Sequence, residues 1–137
     1  MNKYDYIGCF FDTEALFQKV AHIRKTPLPN EKKILHITFV YMPETVPEEL
    51  FGQTVSVTVT GYGNDGHNEG LQVTLTGHHP TINEMIAQIP VPHITLAVSD
   101  NGQAVNTRYI QFSPIEPFSL VGYFGGHLEE ETKQEEL

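Results

Sequence analysis

Two periods of apolar and polar residues run through this chain, and the switches between them mark the elements. The run Tyr4-Asp5-Tyr6-Ile7-Gly8-Cys9-Phe10-Phe11 is dense in aromatic and apolar residues and predicts a buried strand. Leu16, Phe17, Val20 and Ile23 then recur at helical spacing, so a helix is expected from a cap at Asp12 or Thr13 through Arg24, ended by Pro27 and Pro29. An apolar strand follows over residues 34–41, and residues 47–52 predict a short turn of helical character closed by Gly52. Val55, Val57 and Val59 alternate strictly with Thr54, Ser56, Thr58 and Thr60, and Leu71, Val73 and Leu75 do the same against Gln72, Thr74 and Thr76. Both segments read as half-buried strands. Asn64-Asp65-Gly66, within the link 61–70, predicts that they form a hairpin. Thr81 and Glu84 read as the capping box of a second helix, with Ile82, Met85, Ile86 and Ile89 on its apolar face and Pro90 as its stop. A strand over 93–99 comes next, then short strands around 109–112 and 118–124, with a break expected at Gly125-Gly126.

This order of elements defines an α+β domain with mostly antiparallel pairing. The halves echo one another: in each, a helix leads into a strand, Ile34-Leu35-His36-Ile37-Thr38-Phe39-Val40 in the first and Val91-Pro92-His93-Ile94-Thr95-Leu96-Ala97 in the second. The length of 137 residues suits one compact domain, assigned to residues 1–128. Residues 129–137 hold five glutamates and one lysine and are expected to form a disordered acidic tail. Hydrophobic and charged fractions of 39% and 18% lie near the globular norm. Cys9 is the only cysteine, and nothing at the start of the chain reads as a secretory signal, so a cytoplasmic, monomeric protein is expected. No apolar run approaches the roughly 18 residues that cross a bilayer, so no membrane partner is expected. The net charge of -9 argues against an extended nucleic-acid footprint, which needs basic surface to replace counterions. A small ligand or the end of an RNA fits the charge better than a duplex.

The chemistry resides in the two His-Ile-Thr triplets. Residues two apart in a strand point to one face, so His36 projects with Thr38 and His93 with Thr95, while the isoleucines turn to the other side. Packed around a pseudo-twofold axis, the two pairs would face each other across a cleft wide enough for one phosphate. A neutral imidazole can take a proton from water while a protonated one donates to a leaving oxygen, and threonine hydroxyls can hold nonbridging oxygens. Seven histidines and thirteen threonines produce about 0.7 His-x-Thr triplets by chance, so the bare pattern is a weak signal. The matching flanks lift it: each triplet precedes a large apolar residue, lies within an expected strand, and begins near that strand's start. The alternative is that two β-prone strands carry incidental surface residues, as Thr58 and Thr74 do in theirs.

The paired His-Ile-Thr-Phe and His-Ile-Thr-Leu resemble the two signature motifs of the 2H phosphoesterase superfamily. Pro92-His93-Ile94-Thr95-Leu96, followed by Asp100-Asn101-Gly102-Gln103-Ala104-Val105-Asn106, is similar to the cyclic phosphodiesterase domains of fungal and plant tRNA ligases. The resemblance covers most of the chain in layout and implies a bilobal, LigT-like fold, with two mostly antiparallel sheets, helices outside and a central cleft. It further implies hydrolysis of a nucleoside or RNA-terminal 2′,3′-cyclic phosphate to a 2′-phosphate without a cofactor or metal. His93 would be the base, His36 the acid, and Thr38 and Thr95 the phosphate-binding pair. Attack on 3′,5′-linked cyclic oligonucleotides, or nucleotide binding without turnover, are the other functions this pattern allows.

Tyr41 and Tyr123 are candidate substrate-binding residues, since aromatic rings stack on unpaired bases, and Tyr62 has the same chemistry. His67, His78 and His79 cluster in sequence, but no carboxylate or cysteine stands at a strong metal-ligand spacing, and they read as loop residues. His22 and His127 are expected to meet solvent. Cys9 reads as a small buried residue rather than a nucleophile.

Overall fold

The computed structural model describes residues 3–128. Its strands are β1 (Tyr4–Phe10), β2 (Asn30–Glu31), β3 (His36–Tyr41), β4 (Thr54–Asn64), β5 (Asn68–Gly77), β6 (His93–Val98) and β7 (Ser113–Leu128). Its helices are α1 (Thr13–Val20) and α2 (Pro80–Ala87), with 3-10 turns at Glu48–Leu50 and Ala104–Tyr109. The class is α+β. The tail 129–137 lies outside the described residues.

The alternating patterns do their predicted work. Val55, Val57 and Val59 are buried while Thr54 and Ser56 are exposed, and Leu71 and Val73 are buried on the partner strand. Slipping the register by one residue would turn these side chains to water at about 1.5–3 kcal/mol each, so the pattern itself specifies the pairing. Every strand pair is antiparallel, and the strand order is β2-β6-β5-β4-β7-β1-β3.

This is one seven-stranded sheet, not the two sheets expected from the resemblance. The joint is the pairing of β4 with β7, from Thr54 opposite Tyr123 to Tyr62 opposite Ser113, which continues the sheet across what would be a gap between lobes. The sheet is not flat. β3 is at one edge and β6 stands one strand in from the other, so at about 4.8 Å per strand a flat sheet would hold them roughly 24 Å apart. They nevertheless approach each other closely without hydrogen bonding, which requires the sheet to coil over itself. The buried residues form a contiguous apolar cluster on one face of this sheet, to which α1 adds Leu16 and Val20 and α2 adds Ile82.

Several local expectations need correction. α1 is capped by Asp12, whose carboxylate accepts from Ala15 N at 3.0 Å, but it stops at Val20. The chain then turns, and the Arg24 guanidinium lies in a buried pairing with Glu69, at 2.7 and 2.8 Å, and with Glu31. The Thr81–Glu84 box does not form. His79 caps α2 instead, its Nδ1 accepting from Thr81 N at 3.1 Å, with Pro80 in the first turn where no amide hydrogen is needed. The β4–β5 link is only Asp65, Gly66 and His67, since both strands run on through glycines that read as loop signals. Gly63 and Gly70 are there for room: a Cβ would meet Gln111 O at 2.6 Å and Thr107 Cγ2 at 2.5 Å respectively. Residues 104–109 form a 3-10 turn rather than leading into a strand at 109–112. Gly125-Gly126 does not break β7, and Gly126 lets the Tyr4 ring lie against it.

Candidate active site

His36 opens β3 and His93 opens β6. At a strand's first residue, the carbonyl two positions back lies outside the ladder and is available to a side chain. The Nδ1 of His36 stands 3.1 Å from Ile34 O, and the Nδ1 of His93 stands 2.8 Å from Val91 O. A carbonyl only accepts, so Nδ1 carries the hydrogen in both rings and Nε2 is left as the free nitrogen. The two triplets thus share an identical tautomer-setting bond. Coiling of the sheet brings them close enough for a positive charge on His93 to oppose protonation of His36. Burial is the larger effect. It lowers the His36 pKa to about 4, with Lys32, His127 and His93 adding to it and the Ile34 carbonyl opposing it. The His93 pKa is lowered as well, by burial first and then by Arg108, against the pull of the Val91 carbonyl.

Residues that were not singled out as site members surround His36. Tyr6 lies between two imidazoles, stacked on His36 at a centroid distance of 4.3 Å and on His127 at 4.9 Å. Its hydroxyl is 3.3 Å from His36 Nδ1, and burial raises its pKa. His127 is therefore not the solvent residue it was expected to be. It pairs with Asp5 at 2.9 Å and lies directly opposite Tyr6 in the β1–β7 ladder. Phe10 flanks His36 at 5.8 Å. The period-two row Tyr123, Gly125, His127 on β7, matched against Phe10, Gly8 and Tyr6 on β1, is the sequence signal that could have found His127. The two cations, Lys32 near His36 and Arg108 near His93, come from loops and turns and have no such signal.

The threonines occupy unlike surroundings. Thr38 is half-buried, and among the described residues no side-chain hydrogen bond ties it down. Thr95 Oγ1 is 2.8 Å from Thr107 Oγ1 and 3.3 Å from Ala104 O, under the 3-10 turn that crosses β6. Tyr123 shares the face of His36, since Phe10 stands opposite both of them. It is 54% exposed and can meet a ligand there. Tyr41, at the far end of β3, is 72% exposed. Tyr62 is half-buried, and its hydroxyl donates to the buried Glu69 at 2.6 Å. A groove of about 590 Å³ is lined by Val91 and Pro92, which lead into His93, with Gln72, Thr60 and Thr74; neither histidine nor threonine of the two triplets lines it.

The remaining histidines are dispersed: His79 caps α2, His78 lies 3.3 Å from Ser56 Oγ, and His67 sits in the hairpin turn. Among the described residues, no three histidine, cysteine or carboxylate side chains gather in a way that could hold a metal ion, and no helix is long and apolar enough to cross a membrane. Cys9 is fully buried and its thiol is pushed up to about 12, so it stays protonated. Compared with known proteins, the chain matches no family model and no curated sequence.

Proposed function

We propose that the protein is a metal-independent phosphodiesterase of the two-histidine type that opens a nucleoside or RNA-terminal 2′,3′-cyclic phosphate to a 2′-phosphate. The observation that carries this reading is the matched pair of imidazoles. Two strands far apart in the sheet order each offer a histidine whose Nδ1 is held by the carbonyl two residues back, which leaves Nε2 as the nitrogen without a hydrogen. Such a pair can bracket one phosphate. His93 Nε2 takes a proton from the attacking water, the new bond forms at phosphorus, the bond to the ribose 3′ oxygen breaks, and His36 Nε2 supplies that oxygen with a proton. Thr38 and Thr95 donate to the nonbridging oxygens, where negative charge accumulates. Lys32 and Arg108 give an anionic substrate local cations that the net charge of -9 does not suggest. The groove lined by Val91 and Pro92, next to His93 in the chain, is of a size to take a nucleoside. In this reading the coiled sheet is a fused form of the family's two lobes, β3 and β6 being their motif strands and β4 and β7 the joint.

The test is incubation of the pure protein with the four nucleoside 2′,3′-cyclic phosphates and with cyclic dinucleotides, in the presence of a chelator, with the products resolved by chromatography. A 2′-phosphate from the first set, absent in His93→Ala, is the expected result. Turnover of the dinucleotides alone would move the substrate to a 3′,5′ linkage, and binding without turnover of any of them would make the protein a nucleotide-binding module.

A further inference from the structure

Thr95 is held by a buried polar chain whose direction can be worked out atom by atom. Asn68 is 2% exposed and Thr107 is fully buried. The Asn68 side chain lies 2.6 Å from Gln103 O, and a carbonyl only accepts, so the amide must present its NH₂ there. The same NH₂ is 2.9 Å from Thr107 Oγ1 and donates its second hydrogen to it. Thr107 thus accepts from Asn68, and its own hydrogen needs an acceptor. The acceptor within reach is Thr95 Oγ1 at 2.8 Å, and leaving a buried hydroxyl hydrogen unpaired would be costly. Thr95 therefore accepts from Thr107, and its own hydrogen turns away from that partner. Among the described residues its remaining acceptor is Ala104 O, at a long 3.3 Å.

Gly70 is what admits this arrangement. It stands directly opposite Thr95 in the β5–β6 ladder, and a Cβ there would meet Thr107 Cγ2 at 2.5 Å. We infer that Asn68 and Thr107 are positioning residues that hold the Thr95 hydroxyl as a donor toward the cleft, primed for an anionic oxygen that displaces its weak contact with Ala104. The inference rests on the phosphodiesterase reading for its ligand, but not for its hydrogen-bond direction. It makes the two threonines unequal, with Thr95 a pre-set donor and Thr38 a free rotor.

Two measurements test it. NMR of the ligand-free protein should show a slowly exchanging Thr107 hydroxyl proton with a cross-peak to the Thr95 side chain, lost in Thr95→Val. A Thr107 proton directed elsewhere, or one exchanging at the rate of an exposed hydroxyl, overturns the relay whatever the protein's activity. The second is a double-mutant cycle on turnover of a 2′,3′-cyclic nucleotide. Thr107→Val should lower kcat/KM by about tenfold or more, Thr107→Ser should restore most of it, and Thr107→Val should cost almost nothing further in a Thr95→Val background. A purely structural role would cost the same in both backgrounds, and that outcome refutes the relay while leaving the phosphodiesterase reading intact. If the wild-type protein turns over no phosphodiester while the hydroxyl proton is found as described, the functional reading fails and the orientation stands.

Discussion

His36 and His93 are both neutral at pH 7 in the ligand-free protein, because burial disfavours the charged ring at each. That suits a base and handicaps an acid. The His36 pKa is about 4 and that of His93 is lowered less, so between them the singly protonated protein carries its proton mainly on His93; the productive form, with His36 protonated and His93 neutral, is a minor species with the same pH dependence. The pH profile of kcat/KM, which reports the free enzyme, should accordingly be a bell centred on the acid side of pH 6.5, falling about tenfold per pH unit on its alkaline limb. A bound phosphate anion favours both charged rings, so the kcat profile should be displaced to higher pH. Steady-state kinetics from pH 4 to 9 distinguish these cases, and a kcat/KM optimum above pH 7 would contradict the burial argument. His36→Ala and His93→Ala should each lower kcat/KM by about 10²- to 10⁴-fold, and the double variant little more. A substrate with a far better leaving group needs less protonation, so it should rescue the first variant and not the second. The two histidines could be read as a candidate pair because a period-two motif repeats with its flanks. Thr107, Asn68 and His127 could not be read, because their roles depend on a turn and a strand that reach the site only after folding.

At the scale of elements, β3 owes its position to a glycine on its neighbour. A Cβ on Gly8 would overlap the Ile37 carbonyl oxygen, and backbone on both sides leaves no flexible group to yield. Gly8→Ala should therefore push β3 away from β1, costing about 2–4 kcal/mol and displacing His36 from Tyr6 and Phe10. Gly66 is the useful control. Its φ of +89° strains an alanine, but nothing lies near the added methyl, so Gly66→Ala should cost about 1–2 kcal/mol and leave kcat unchanged. Chemical denaturation beside single-substrate kinetics compares them, and a Gly8→Ala protein as stable and active as the control would show that the β1–β3 contact is slack. Other glycines explain where element boundaries were misread. In a sequence, Gly63, Gly70 and Gly126 look like punctuation, yet they make room for atoms of distant segments. The alternation of Val55, Val57 and Val59 carried no such ambiguity, because burial on one face has only one period that satisfies it.

For the whole molecule, the two His-Ile-Thr strands come together only because the sheet is coiled, since β3 and β6 are far apart in strand order. Two strands with His-Ile-Thr could be read locally, but the β4–β7 joint that makes one sheet of the two halves could not, because β7 showed only part of its 16 residues as a pattern. One consequence is that titration of the histidines is felt by global stability. The sign follows from their depressed pKa values: as pH falls below 6.5 the unfolded chain takes up protons that folded His36 refuses until about pH 4, so stability is lost across that window. For His36 alone the loss by pH 5 is about 2 kcal/mol, and His93 adds to it in the same direction. Glu69 and Asp65, whose pKa values are lowered, contribute only in more acid solution. The thermal midpoint should hence drop by roughly 5–8 °C or more between pH 7 and pH 5. Replacing both imidazoles, His36→Gln with His93→Gln, removes the titrating groups and should flatten that slope while leaving the steeper loss below pH 4. Calorimetry at constant ionic strength measures both slopes, and equal slopes in the wild-type and doubly substituted proteins would mean that the two rings are not held neutral by burial at all.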